Sequence, residues 1–111
     1  MDKSLYKRLE KIGEQNDKLR KVEKEFLYLE AHKKVMFSGL FLQAQGKSIA
    51  EKEANAYSSP EWIAFAEAHA EKEAEYNYER RMYELRLKAY DAAHLTLKTE
   101  GAAIGRQGGV T

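Results

Sequence analysis

The chain contains no cysteine, a single proline and no long run of uncharged apolar residues. The absence of cysteine excludes disulfide bonds and thiolate chemistry. No apolar run approaches the roughly 18 residues that a bilayer span requires, and the first residues lead into an amphipathic helix pattern instead of a signal-peptide core. These absences predict a soluble, unexported protein that has no contact with a membrane.

The chain also has no large excess of positive or negative charge, because its formal net charge is +1. Such a chain has no global bias towards nucleic acid. The charge is nevertheless uneven: residues 1–34 carry ten Lys and Arg against seven Asp and Glu, residues 35–75 carry three against seven, and residues 76–111 carry six against four. If long helices fold back on one another, the two basic ends form a local patch, although charge runs on helices are usually solvated faces.

What the chain does contain is typical of long helices. One third of its 111 residues are charged, and Ala, Glu, Lys, Leu and Arg are used heavily. This length allows one domain with a modest core. We find no internal repeat and no strand-type alternation, so the sequence predicts an all-α protein.

The longest predicted helix begins at Pro60 and ends before Gly101. Some forty residues between them contain neither glycine nor proline, and Ser58 or Ser59 can cap the start. A seven-residue spacing marks one face of this helix: Trp62, His69, Tyr76, Tyr83, Tyr90 and Leu97. At about 1.5 Å per residue the helix would be roughly 60 Å long, so an equally long element must cover it.

A second long helix opens at Ser4 and continues to about Leu42, with apolar residues at helical spacing. Apolar residues point to nearly every side between Phe26 and Leu42, which predicts that this is the best-buried segment. A two-helix hairpin cannot cover all of it, so we expect a neighbouring subunit to do so. The predicted subunit interface comprises Phe26, Leu29, Met36, Phe37, Leu40, Phe41, Tyr76 and Tyr83.

Between the long helices, Ser48 and Glu51 form an S-x-x-E capping box that starts a short helix over about Ile49 to Tyr57. After residue 100 the chain is rich in glycine, which predicts a flexible tail over 101–111. The predicted architecture is therefore two long helices in an extended antiparallel hairpin with a short connecting helix, assembled into an oligomer. Residues 1–100 form its single helical domain.

The sequence offers little catalytic chemistry. His69 and Glu73 share a helix face, but zinc needs three or four ligands and no other residue joins them at a recognisable spacing. There is no nucleophile motif, and the glycines of the tail lack the Lys-Ser/Thr ending of a phosphate-binding loop. We expect neither an enzyme nor a bound metal or cofactor.

Aromatic residues interleaved with basic ones allow two interpretations of the long helix. These are the residue types that stack on bases and neutralise phosphates in single-strand binding, but a seven-residue aromatic spacing is also what a helix-packing seam looks like. The packing interpretation is favoured for the aromatic residues, and the basic flank from Arg80 to Lys88 is the better DNA candidate. A second basic cluster, Lys18, Arg20, Lys21 and Lys24, has acidic residues one turn away and can simply support the helix.

Residues 29–35 (LEAHKKV), the glycine-bearing loop after the apolar segment, 90–93 (YDAA) and 101–104 (GAAI) resemble the UvsY-like recombination mediators of phages. Residues 46–54 (GKSIAEKEA) through 59–62 (SPEW) resemble small helical phage proteins of the same general kind. The resemblance covers roughly residues 20–105 and implies a ring-like helical oligomer in the cytoplasm of a bacterial host cell. Such a protein binds single-stranded DNA and helps a recombinase to load in place of a single-strand binding protein. The resemblance therefore implies the recombinase or the single-strand binding protein as a partner.

The resemblance departs from the family pattern after Val35, where basic residues are expected and Ser38, Gly39 and Leu40 stand instead. DNA contacts must then come from elsewhere. The predicted nucleic-acid-binding residues are Lys33, Lys34, Arg80, Arg81, Arg86, Lys88 and Arg106.

Two other functions stay open. One is a structural or assembly adaptor or chaperone that docks a partner protein on its apolar helical surface and binds no DNA. The other, a secreted helical hairpin of the W-x-G family, is weaker, because Trp62-Ile63-Ala64 lacks the glycine and begins a helix instead of separating two.

Overall fold

The computed structural model describes the backbone of residues 3–109 and the side chains of residues 3–101. Three helices follow one another: α1 spans Lys3–Gln43, α2 spans Ile49–Tyr57 and α3 spans Pro60–Gly109. No strand occurs among these residues, so the all-α prediction is confirmed for the described chain. No helix in this part is long and apolar enough to cross a membrane.

Capping side chains set the boundaries of α2 as the sequence predicts. The Ser48 hydroxyl accepts a hydrogen bond from the Glu51 amide at 3.1 Å, and the Glu51 carboxylate accepts one from the Lys47 amide at 2.7 Å. These bonds satisfy amide groups that have no partner within the helix. The Ser59 hydroxyl accepts from the Trp62 amide at 3.2 Å, so Ser59 is the one of the two candidate serines that caps α3.

Gly46 is required where the chain turns from α1 towards α2. Its φ is +158°, and a Cβ atom at this position would lie 2.9 Å from the Cβ of Glu51 and 3.0 Å from the Lys52 nitrogen. Any other residue would therefore collide with the first turn of α2. The Asn55 side-chain amide donates to the Gln45 carbonyl, which ties this connection to the far end of α2.

The predicted end of α3 at Gly101 is wrong, because the helix continues to Gly109. Glycine inside a helix costs about 1 kcal/mol relative to alanine, which weakens a helix without blocking it. The sequence beyond Gly101 contains two alanines and no proline, so nothing forces a stop there. Flexibility of residues 101–111 stays a prediction, and residues 110 and 111 lie outside the described chain.

The chain divides into two compact units, one formed by Met1–Leu19 with Glu79–Thr111 and the other by Arg20–Tyr78. In the first unit Leu5, Gln15 and Leu19 are buried, and in the second Val22 and Ala56 are buried. In the second unit, residues farther along α1 contact residues earlier in α3, so the two helices run in opposite directions there. Phe26 stacks on Tyr76 with ring centroids 5.4 Å apart, and Phe37 meets Trp62 at 5.4 Å.

The aromatic face of α3 packs against α1 in this second unit. Trp62, His69 and Tyr76 all contact Phe26 or Phe37, which confirms the packing role predicted for the first three members of the seven-residue series. An extended hairpin along the whole chain, an oligomer and a single domain over 1–100 stay predictions.

The segment from Phe26 to Leu42 is not buried by the chain itself, and its burial by a neighbouring subunit stays a prediction. None of its side chains is buried, and Val35 and Leu42 are 69% and 79% exposed. The reason is geometric, since one neighbouring helix covers only one side of α1. The apolar residues on the other sides face outward.

Leu19 offers a direct test of where the core lies. It is 3% exposed, whereas Leu95 on the other long helix is 63% exposed. Truncating a buried leucine to alanine costs about 2 to 5 kcal/mol, because apolar contacts are lost and a cavity remains. We expect Leu19→Ala to lower the free energy of unfolding by that amount in urea denaturation followed by circular dichroism. Leu95→Ala, the control, should change it by less than about 0.5 kcal/mol, and equal losses would contradict this core.

Candidate functional site

A concave surface in the second unit combines aromatic rings with lysines. This surface, called the aromatic groove here, encloses about 800 Å³. The residues that line it come from all three helices: Glu30, Ala31, Lys33, Lys34, Phe37, Ser38, Tyr57 and Trp62. It therefore contains Lys33 and Lys34, two of the predicted nucleic-acid-binding residues.

Three rings form one side of the aromatic groove. Phe37 lies between Tyr57 and Trp62, with centroid distances of 4.4 Å and 5.4 Å, and Tyr57 and Trp62 meet edge to face at 5.6 Å. Edge-to-face contacts fix ring orientation while leaving part of a ring face uncovered. Tyr57 is 53% exposed, so it is the ring best placed to accept a planar ligand.

The charges of the aromatic groove favour an anion beside the rings. Lys33 and Lys34 are exposed and form no hydrogen bond or ion pair with a described residue. The Glu30 carboxylate also lines the groove, but its Oε1 lies 2.5 Å from the His69 Nε2 and is thereby directed to α3. The two free ammonium groups are thus the charges available to a ligand.

A second concave surface lies in the first unit and is lined mainly by cations. This basic cavity encloses about 350 Å³ and is lined by Ser4, Lys7, Arg8, Lys11 and Arg86. Sequence reasoning identified Arg86 and missed the three cations of α1. Their signal was the spacing 4, 7, 8 and 11, which places four residues on one helix face.

Arg86 is positioned by a buried glutamine. The Arg86 Nε donates to the Gln15 Oε1 at 3.2 Å, and the Gln15 amide nitrogen donates to the Glu79 carboxylate. Gln15 is 6% exposed, and a buried amide needs partners for both its ends. The sequence shows no sign of this link, because its three residues are far apart along the chain.

Three other predicted nucleic-acid residues do not line these two surfaces. Arg80, Arg81 and Lys88 are exposed on α3, outside the aromatic groove and the basic cavity. The Arg106 side chain lies outside the described residues.

The predicted subunit-interface residues contact their own chain where contacts are seen. Phe26 stacks on Tyr76, Phe37 joins the aromatic groove, and Lys52 approaches the Phe41 ring at 5.9 Å. The other predicted interface residues are half-buried, apart from exposed Met36: Leu29, Leu40 and Tyr83. A role in subunit contact stays a prediction.

The cluster of Lys18, Arg20, Lys21 and Lys24 is partly used within the protein. Arg20 pairs with Glu23 at 3.1 Å, which is the helix-supporting role the sequence suggested. Lys21 and Lys24 lie beside a third concavity that also includes Glu25 and Lys72. Within the described residues, no group of three or more His, Cys, Asp or Glu is arranged to hold a metal ion.

Comparison with protein-family models, with curated proteins and with solved structures found no match to this chain. The resemblance to UvsY-like mediators therefore stays a prediction.

An ion pair beside the third concavity links α1 to α3. The Lys72 ammonium donates to the Glu25 carboxylate at 2.5 Å and to Glu75 at 3.0 Å. The hydrogen bond from Lys72 lowers the pKa of Glu25, and its charge and that of Lys21 act in the same direction against partial burial. The bond to Glu25, followed by the bond to Glu75, raises the pKa of Lys72.

These shifts predict how the pair depends on pH. Because the pKa of Glu25 is lowered on folding, its stabilising effect is present above the ordinary glutamate pKa and disappears as the pH falls through the lowered value. We expect NMR titration to give a Glu25 pKa below the ordinary value, and Lys72→Met to raise it towards that value. Lys88→Met is the matched control and should leave it unchanged. An ordinary pKa in the unmodified protein would contradict this pairing.

Proposed function

We propose that this chain is a non-enzymatic, oligomeric accessory protein of phage type that binds single-stranded DNA in the aromatic groove and assists recombinase loading. The observation that carries DNA binding is the combination of an exposed ring, Tyr57, with two unpaired lysines, Lys33 and Lys34. Single-strand binding uses this combination, since bases stack on rings and cations neutralise the backbone.

The aromatic groove suits unpaired bases better than a duplex. A duplex keeps its bases stacked inside the helix, whereas a single strand offers every base face to a ring. Three rings within 6 Å of one another provide a short apolar surface for bases, and Lys33 and Lys34 line the same groove and supply positive charge for a backbone. Assistance to a recombinase is supported by the resemblance of residues 20–105 alone.

Replacing the two groove lysines tests DNA binding. We expect Lys33→Gln with Lys34→Gln to weaken binding of a fluorescent oligothymidine at least about fivefold in anisotropy titrations at low salt, because two phosphate contacts are lost. Tyr57→Leu should weaken binding by a similar factor, since stacking is worth about 1 to 3 kcal/mol per base.

The matched control is Lys18→Gln with Lys98→Gln, which removes the same charge at exposed positions away from the aromatic groove. It should change affinity by less than about twofold. Equal weakening by both double variants would exclude the groove as the binding site, and no binding even at low salt would exclude the proposed function.

A second candidate function is supported by apolar residues on the opposite side of α1. Tyr28, Val35 and Leu42 recur every seven residues and are 62%, 69% and 79% exposed. They lie roughly 140° to 200° around the helix from Phe26 and Phe37, the residues that face α3. A seven-residue apolar stripe is the pattern that packs on another helix.

This outward stripe supports helix docking by a second copy of the chain, which is the proposed oligomer. It equally supports the adaptor or chaperone function, in which a partner protein covers the stripe and no DNA is bound. Stable capture of a phage structural protein by a chain that does not bind oligonucleotide would favour the adaptor.

Sedimentation tests self-association through the outward stripe. We expect the unmodified chain to be oligomeric at micromolar concentration and Val35→Glu to be monomeric, because a carboxylate in an apolar helix seam is left without solvent or partner. Gln43→Glu adds the same charge at an exposed position outside the stripe and should leave the oligomer intact. A monomeric unmodified chain would contradict self-association.

A further inference from the structure

The basic cavity of the first unit carries an inference that is independent of the proposed DNA site. The described residues of its lining are four cations and one hydroxyl-bearing residue, with no carboxylate among them. Charge of one sign gathered around a concave surface raises the local concentration of oppositely charged ligands. The feature stands out in a chain whose net charge is +1.

Three of the four cations have no partner among the residues that the structure describes. Lys7, Arg8 and Lys11 form no hydrogen bond or ion pair with any described residue, although Glu10 and Glu14 are close along the helix. Surface cations on helices usually find an acidic residue one turn away. Three neighbouring cations left without such partners are therefore available to a ligand.

The fourth cation is held in place. Gln15 accepts from the Nε of Arg86, and this single bond leaves both terminal nitrogens of the guanidinium group without a described partner. A guanidinium group fixed at Nε presents its remaining donors in a planar fork, a geometry that matches phosphate oxygens. Arg86 thus supplies direction, while the three α1 side chains supply charge.

The number of charges indicates the size of the ligand. A single phosphate carries about two negative charges at neutral pH, which would leave half of the four positive charges unmatched. Two or three linked phosphates come closer to the charge of the cavity. Its volume of about 350 Å³ falls at the small end of the range of ligand pockets.

We propose that the basic cavity formed by Lys7, Arg8, Lys11 and Arg86 binds a group of two or three linked phosphates. This chemistry is shared by free polyphosphate and, in a spaced form, by the backbone of a nucleic-acid strand.

Calorimetric titration of the full chain with inorganic tripolyphosphate tests the proposal. We expect saturable binding at low ionic strength that weakens as salt is added. The triple variant Lys7→Gln, Arg8→Gln and Lys11→Gln should weaken it at least about tenfold, because charge-assisted bonds to phosphate are the strong class of hydrogen bond. All three positions are exposed, and circular dichroism verifies that the variant stays helical.

Two controls separate this site from general charge and from the DNA proposal. Lys18→Gln with Lys98→Gln removes exposed cations of the same unit that do not line the cavity, and Lys33→Gln with Lys34→Gln alters the aromatic groove alone. Both should leave tripolyphosphate affinity within about twofold. The triple variant, in contrast, should weaken it by the larger factor given above.

Competition identifies the source of the phosphates. Displacement of tripolyphosphate by a short oligothymidine supports the site with a strand backbone as its ligand, and binding without displacement supports it with free polyphosphate as its ligand. Absence of tripolyphosphate binding to the unmodified chain overturns the proposal. An equal loss in the Lys18 and Lys98 control also overturns it, because the effect would then come from net charge.

Discussion

A single neighbouring helix can cover only one side of a long helix, and the rest of the structure depends on this constraint. α1 and α3 are far longer than the mean globular helix of about 11 to 12 residues: they contain 41 and 50 residues. Four apolar side chains in the described chain are buried. The other described apolar side chains are half-buried or exposed. Apolar surface that a single neighbouring helix leaves uncovered is therefore available for binding.

Polar contacts between the long helices fix which residues meet. In the second unit the Tyr76 hydroxyl donates to Glu23 at 3.1 Å, and Lys72 reaches Glu25. In the first unit Gln15 joins Glu79 and Arg86. A seam made of apolar residues alone tolerates sliding by a turn, whereas a polar pair that loses its partner is costly. Within each unit these pairs set which residues of the two helices face each other, and they thereby help to position the groove rings in the second unit and Arg86 in the first.

Local chemistry made much of the fold predictable. Ser48 and Glu51 marked the start of α2, Ser59 and Pro60 marked the start of α3, and the seven-residue spacing identified the face of α3 that contacts Phe26 and Phe37. Each of these signals acts within a few residues. The helix beyond Gly101 was missed because one glycine weakens a helix without ending it.

The sites were less predictable, because they depend on which side of each helix is covered. Lys33 and Lys34 were identified, but their place beside Tyr57 follows from the turn at Gly46, which brings α2 back towards α1. The seam of Phe26 to Leu42 has apolar residues on several sides, and the sequence does not say which side a neighbour takes. The sequence does not show that Lys7, Arg8 and Lys11 line a cavity, because the fourth cation of that cavity, Arg86, lies on α3 and far away along the chain.

The central claim is that bases stack in the aromatic groove, and Trp62 can report on it. Trp62 is the single tryptophan of the chain and lines the groove, so its fluorescence comes from the proposed site alone. Titration with oligothymidine at low salt should quench this emission saturably, and added salt should restore it as the strand dissociates. Binding of the oligonucleotide without any change in Trp62 emission would contradict the claim.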